Sequence, residues 1–541
     1  MSPSGGIYRR HEPEKTVLYG VVQEHLETFL DQAREPDGDG YPRFVEKEFR
    51  RFLNCGLLCH GFARLRCAEC GYERLLAFSC KGKLCPSCLA RRTADTAAWL
   101  VDSLLPKAGY RQWVLTFPYT MRFRLAADRH LLSTLLRVFL QVLFAWQRGR
   151  GRAIGIADGH TGSVSFIQRF GSALNLNVHI HMILPDGLFV PVSDDTSAPL
   201  RFVPLPPPNT AEVEELTRTV AGRLTARLAA ASEEENDYLD PNLAALVEAL
   251  FWSRDAPPGT RDIPLLPGLE SEGREEDGLQ GKPLCAAVAG FSLHAAQCVQ
   301  APDREALERL LRYGLRAPFS QERLSRRPDG KVVYHLRRPW PHAGGATALV
   351  LEPLDFLRRL AALVSFPYTH QTRYHGIFAN RSKARKLLPP PPPSRHAPDI
   401  SGGDPSDIAA SADVQEHGDG AGGSAEPPGP RRRRFSWEQL LRRVLHVEGL
   451  ACPKCSTAAR AVPMIVLALL SDPEVVGKIL RHLGLPTTVP ALAPARSSAV
   501  PSKGGRSLGF VLPEEDGAPV REVGDTVEDS GDPEPSIRPP P

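Results

Sequence analysis

The sequence predicts an α+β protein in which an antiparallel sheet with flanking helices follows a small cysteine-rich module and precedes a linker and a small helical tail. Three observations carry this expectation. The strand-like run WVLTF is followed by a long apolar helical stretch and then by two runs, GSVSFIQRF and LNLNVHIHMIL, separated at Gly171-Ser172. Strands and a helix in that order, with a tight turn between the last two strands, read as a hairpin within an antiparallel sheet. Cysteines gather as Cys67-x2-Cys70, Cys80 and Cys85-x2-Cys88, the spacing of knuckles that present thiolates to zinc. Residues 387–434 are dominated by Pro, Gly, Ala, Ser and Asp, which predicts a disordered linker.

Composition narrows the class. A chain of 541 residues has room for two to four domains. It contains no apolar run of the roughly 18 residues that a membrane span requires. The opening MSPSGGIYRRHEPEK has no apolar segment behind its charges, so no secretory leader is expected. The net charge of +4 is too small to indicate nucleic-acid binding by itself. Its distribution says more, because residues 43–92 hold eleven Lys/Arg against four Glu, and residues 303–338 hold ten against five Asp/Glu. Such local excess suits phosphate contact. Clustered cysteines without an export signal point to thiolate ligands in a reducing cytoplasm, where disulfides are rare.

In chain order, residues 1–44 read as a helical lead-in, on the periodicity of TVLYGVVQEHLETFLDQARE. Residues 45–105 read as a zinc-binding, DNA-contacting module, with Cys67, Cys70, Cys85 and Cys88 as the tetrahedral set and Cys80 as the substitute ligand. Cys55, Cys59 and His60 are left either to a second site or to the buried core. Residues 106–386 form the main domain, with Asp186-Gly187 as a further hairpin-turn signal and a long helix over Thr210–Ala231. The acidic, Pro/Gly-rich stretch 232–284 is expected to be irregular, and residues 331–350 to form paired strands. The region 435–487 reads as helical around a lone Cys452-x2-Cys455. One knuckle cannot close a tetrahedral site unless Cys285, Cys298 or a histidine joins it. Residues 488–541 are expected to be disordered.

The chemistry centres on His179-Ile180-His181. Residues i and i+2 of a strand share a face, so both imidazoles project together and supply two thirds of a divalent-metal site. Spacing alone favours a structural histidine pair, one buried and one exposed; the rest of the chain raises the metal reading. Tyr313 lies in the helical segment REALERLLRYGLRAPFSQERL with Arg309, Arg312 and Arg316 near it. Arginines a helical turn away can hold a phosphate and favour a phenolate. A metal would polarise a scissile phosphate while a tyrosine hydroxyl attacks it and becomes a covalent 5′-phosphotyrosine.

The blocks FSCKGKLCPSC, VLTFP, FIQRFGSALNLNVHIHMILPDG, LLRYGLRAPFSQERL and RYHGIFAN occur in that order, and CPKC…DPEVVGKILRHLGLP follows them. On these blocks the chain resembles the rolling-circle insertion-sequence transposases of the HUH single-strand endonuclease superfamily, in the branch that includes the common-region mobile elements. The resemblance spans most of residues 45–386 and 435–487. It implies an HUH-type sheet, His179 and His181 as the metal pair, Tyr313 as the nucleophile, and single-stranded element ends and target DNA as partners. It also implies catalytic Mg²⁺ or Mn²⁺ beside structural Zn²⁺. Relatives with two catalytic tyrosines carry the first one turn earlier, where this chain has Arg309, so the resemblance implies a single-tyrosine version; Tyr374 could contribute from elsewhere, but nothing in the sequence argues for that role. The third ligand is left open, with Gln168 on the partner strand as its candidate if register turns it to the histidine face. STAAR follows CPKC where relatives usually have a glycine-rich turn, which weakens the tail knuckle. A replication-initiator nickase and an inactive zinc-dependent DNA-binding derivative are the alternatives.

Overall fold

The computed structural model describes residues 11–34, 40–193, 195, 197–233, 282–340, 346–365, 367, 369–392, 435, 437–445, 450–457, 460–496 and 509–511. Most of the expected linker, the acidic stretch and most of the C-terminal tail therefore lie outside the described residues.

Helices α1 (Val17–Gln32) and α2 (Arg43–Leu53) open the chain, and strands β1 (Phe62–Cys67) and β2 (Glu73–Ala77) follow. Helix α3 (Pro86–Trp99) starts at Cys85 with Pro86 in its first turn, where a missing N–H costs nothing. Strand β3 (Tyr110–Thr116), helices α4 (Tyr119–Ala127) and α5 (Arg129–Ala153), and strands β4 (Gly162–Phe170) and β5 (Leu176–Pro185) come next. Then follow β6 (Gly187–Pro191), β7 (Leu200–Pro204), α6 (Thr210–Glu233), β8 (Cys285–Val288), β9 (Phe291–His294) and β10 (Cys298–Val299). Helix α7 (Arg304–Leu315), strands β11 (Leu324–Arg326), β12 (Val332–Trp340) and β13 (Ala346–Leu351), helix α8 (Pro353–Leu363) and β14 (Thr372–Gly376) complete the main domain. The C-terminal region adds α9 (Trp437–Leu445), β15 (Met464–Leu470), α10 (Pro473–His482) and β16 (Gly509–Val511).

The central sheet runs β14-β4-β5-β3-β9-β8, with β10 also on β3, and its pairings are antiparallel. Strict alternation gives it two apolar faces, as a sheet covered on both sides requires. One face carries Trp113, Leu115, Ile167, Val178, Ile180 and Met182, which join the apolar stripe of α5 and residues of α1, α2 and α8 in one core. The opposite face carries Val164, Phe166 and Ile183, packed beneath Ala97 of α3 and Leu307 and Leu311 of α7. The lead-in helices thus belong to the main core.

Three expectations change. Asp186-Gly187 does not turn a hairpin onto β5, because β6 leaves the sheet and pairs with β7 instead. The Asp186 carboxylate is held by Arg111, with Nε and Nη2 at 3.0 and 2.6 Å, and a Cβ on Gly187 would sit 2.3 Å from the Val203 carbonyl. Both residues serve that departure. The C-terminal region is neither wholly helical nor self-contained, since β15 pairs antiparallel with β1 to give the order β15-β1-β2. Within the stretch 488–541, the Ala493 N–H donates to the Gln23 carbonyl at 3.1 Å and the Arg496 N–H to Thr28 Oγ1 at 3.0 Å. That segment lies along α1, and β16 pairs with β13.

Candidate active site and cysteine tetrads

Register builds the site. Gln168 on β4 faces His179 on β5, and Phe166 faces His181. Across β5's other edge, Thr116 and Val114 of β3 face His179 and His181. Alternation therefore places Gln112, Gln168, His179 and His181 on the face that α7 covers. The Tyr313 ring stands edge-on to His181, with centroids 5.6 Å apart at 86°, and the two imidazoles are 4.9 Å apart. Gly314 permits this approach, because a Cβ there would fall 2.6 Å from the Phe166 ring.

Gln168 ties the strand to the end of that helix. Its Nε2 donates to the Gly314 carbonyl at 2.8 Å and the Tyr313 carbonyl at 3.2 Å, at a helix end where carbonyls run short of intrahelical donors; the Tyr313 carbonyl also accepts from the Arg316 N–H at 3.4 Å. Among the described residues, neither the buried Oε1 of Gln168 nor His181 Nε2 has a hydrogen-bond partner. Buried polar atoms of this kind are costly unless something binds them. His179 Nδ1 lies 2.9 Å from the Asn177 carbonyl; a carbonyl only accepts, so Nδ1 carries the proton and Nε2 keeps its lone pair. The Gln112 amide Nε2 donates to His181 Nδ1 at 3.0 Å, which leaves the proton on His181 Nε2; turning that amide over, so that its oxygen accepts from Nδ1, gives His181 Nε2 the lone pair a metal requires. Burial pushes His179 down to about 4, with Arg316 and Arg122 adding to the effect. His181 is also held well below the usual histidine range, by burial first and then by His179, Arg316 and His294. Both rings are thus neutral at pH 7, the state a metal ligand needs.

Tyr313 is 40% exposed, so its hydroxyl edge can meet a substrate while its ring rests on His181. The Arg316 guanidinium lies 4.8 Å from the Tyr313 ring centroid and 5.5 Å from that of Phe170, and its Nε is buried without a partner. Arg309 is exposed and Arg312 half-buried on the same helix. Tyr374 stands elsewhere, edge-on to Trp99 at 6.0 Å.

The cysteines regroup. Cys55, Cys80, Cys85 and Cys88 form one tetrad and Cys67, Cys70, Cys452 and Cys455 another, the sulfurs of each lying within 4.8 Å of one another. Four thiolates about 2.3 Å from a tetrahedral zinc are about 3.8 Å apart. Sulfur separations of 3.6 Å for Cys55–Cys88, Cys80–Cys88 and Cys55–Cys85 fit that edge length, and so do 3.6 Å for Cys70–Cys452 and 3.9 Å for Cys67–Cys455. In the first tetrad, hydrogen bonds from Cys55, Cys80 and Cys85 hold the Cys88 thiol far below its ordinary value, and the N-terminus of α3 favours the same anion. Backbone N–H groups of Cys80 and Gly82 also donate to sulfur, each at 3.3 Å. The expected set of Cys67, Cys70, Cys85 and Cys88 is therefore split between two clusters. Cys80 is a full member of its cluster, as is Cys55. Cys59 and His60 join neither tetrad.

Residues 162–386, which contain Gln168, both histidines and Tyr313, match the Y2 transposase family, and residues 21–117 match the transposase zinc-binding domain of IS91 type. Both matches are to transposase families. The chain is a transposase with an IS91-type zinc-binding domain. No curated protein and no solved structure gives a match.

The transposase carries a structural zinc-binding domain, and its match takes in the first tetrad but ends before Cys452 and Cys455. Among the described residues, no helix is long and apolar enough to cross a membrane. Part of the basic excess is spent within the protein. Arg50 pairs with Glu27 and Glu46 at 2.9 and 2.8 Å, Arg64 with Glu73 at 2.8 Å and Arg326 with Glu24 at 2.6 Å, while Arg304 donates to the carbonyls of Val101, Leu105 and Pro106. Sequence reasoning missed Gln112 and the carbonyl of Asn177, which hold the outer nitrogens of the two histidines. Alternation along β3 could have put Gln112 on one face with Val114 and Thr116, but the β3–β5 register needed the fold.

Proposed function

We propose that this transposase nicks and rejoins single-stranded DNA at the ends of its element, with Tyr313 as the nucleophile, in a rolling-circle mode of transposition. The observation that carries this reading is the contact of Tyr313 with His181 on the one sheet face that also holds His179 and the unpartnered Oε1 of Gln168. The Tyr313 oxygen attacks the scissile phosphorus, the bond from phosphorus to the 3′ oxygen breaks, and the departing strand takes a proton as its 3′ hydroxyl. The product is a 5′-phosphotyrosine. An incoming 3′ hydroxyl reverses the exchange, so the phosphoester bond is conserved and no nucleotide hydrolysis is required.

His179, His181 and Gln168 are the residues that would hold Mg²⁺ or Mn²⁺, two neutral imidazoles and an amide oxygen being suitable donors for a divalent ion. A bound ion supplies Lewis-acid polarisation of the phosphate. Arg316 sits where a guanidinium can pair with a phosphate oxygen, and Arg309 and Arg312 extend a cationic track along the helix. We assign residues 45–105 to DNA contact and 106–386 to strand cleavage.

The test is incubation of the full chain with a labelled single-stranded oligonucleotide from an element end and Mn²⁺. A covalent adduct is expected, absent in Tyr313→Phe. An undiminished adduct in that variant would refute the assignment, and DNA binding without any adduct in the parent would favour a non-catalytic binding protein.

A further inference from the structure

We infer that Cys67, Cys70, Cys452 and Cys455 bind a second zinc ion that clasps the C-terminal segment onto the N-terminal module. The two knuckles reach each other across more than 380 residues of sequence. Each closes with the same turn, the Gly71 N–H donating to the Cys67 carbonyl at 3.0 Å and the Ser456 N–H to the Cys452 carbonyl at 3.0 Å. Gly71 adopts φ +67, the left-handed conformation that suits glycine. At the tail knuckle a serine stands in its place. The Ser456 hydroxyl accepts from the Val462 N–H at 3.0 Å, and the Cys452 N–H donates to the Val462 carbonyl at 2.8 Å. The serine side chain thus supplies a lock that a glycine could not, and STAAR is compatible with an intact knuckle.

The chemistry of the set favours zinc over the hard ions of the candidate active site. Four soft sulfur donors at tetrahedral separations leave no open position for water or substrate, which is the arrangement of a structural site. Protein contacts around the tetrad are modest. Ala63, Leu65, Val462 and Met464 form one small buried cluster beside the cysteines, and Leu58, Phe62, Val476 and Leu480 form another under α10. Against them stands the entropy of joining segments more than 380 residues apart in sequence. Without β15, β1 and β2 would be a two-stranded ribbon, which is marginal in water. A metal shared between the two knuckles adds a linkage to the β1–β15 pairing and the Arg443 ion pairs. Cys70 is exposed and Cys455 half-buried, so a chelator can reach this ion.

The proposal is tested by metal analysis and by cutting the chain. The purified full-length protein is expected to hold two zinc ions, and Cys452→Ser/Cys455→Ser to hold one. Cys455→His, which keeps a zinc ligand in place, is expected to retain two; if it does, loss in the serine variant reflects ligation. A protease recognition sequence is then inserted between residues 400 and 430 and cleaved. The two fragments are expected to co-elute until a zinc chelator separates them, and to rejoin when Zn²⁺ is restored. One zinc ion in the parent, two in the double-serine variant, or fragments that stay together after both ions are stripped would each overturn the clasp. None of these readouts depends on DNA cleavage.

Discussion

Arg443 of α9 donates to Glu308 of α7 from Nε at 2.8 Å and from Nη2 at 2.6 Å. Its Nη1 and Nη2 also reach Asp102, just past α3. All three side chains are at most a tenth exposed. The C-terminal region thereby touches the helix that carries Tyr313, five residues before it. Removing one partner of a buried ionic network leaves uncompensated charge, at a cost of about 3–5 kcal/mol. Arg443→Met is therefore expected to lower the denaturant midpoint strongly. Adding Asp102→Asn and Glu308→Gln should recover much of the loss; a triple variant no more stable than the single would show that packing, and not charge, sets the effect.

Gly314→Ala tests the close approach of α7 to the sheet. The new methyl would press on Phe166, and overpacking of that kind costs about 1–3 kcal/mol. The expected result is a lower unfolding midpoint together with slower adduct formation, as Tyr313 is pushed from His181. Phe166→Leu in the same chain should restore part of both. Unchanged stability in Gly314→Ala would mean the helix shifts without penalty.

The observed tie of Gln168 to α7 and its proposed part in holding an ion can be separated. Gln168→Ala removes the donor to the α7 carbonyls and the unpartnered buried acceptor. If the acceptor holds the ion, the Mn²⁺ concentration for half-maximal cleavage should rise by roughly 10–100-fold, the range for loss of a supporting group at a metal site. A maximal rate that falls with no change in metal dependence would assign the amide to the helix alone.

Acid should weaken the fold through His375. Burial pushes this histidine down to about 4, and its Nε2 has no partner. Between the ordinary value near 6.5 and about 4, the unfolded chain binds a proton that the folded chain does not, so stability falls as pH falls. At about 1.4 kcal/mol per pKa unit the full effect is up to about 3 kcal/mol. Denaturant midpoints from pH 7 to 4 should drop less steeply in His375→Gln; an identical slope would place the acid sensitivity elsewhere.

Local pattern determined a good deal. Alternation in LNLNVHIHMIL put His179 and His181 on one strand face, the Gly171-Ser172 turn opposed GSVSFIQRF to it, and the 3.6-residue period of REALERLLRY made the helix of Tyr313. Backbone geometry fixes such relationships within a segment, whatever the rest of the chain does. Where two segments meet is decided by packing and register, and these depend on every other contact. That is why Gln168 could be nominated but its facing residue had to come from the β4–β5 register. The C-x-x-C spacings likewise announced thiolate pairs but not which pairs share a tetrad. The fold chose Cys55 and Cys80 for Cys85 and Cys88, and carried Cys452 and Cys455 back to Cys67 and Cys70, by adding β15 to the exposed edge of β1.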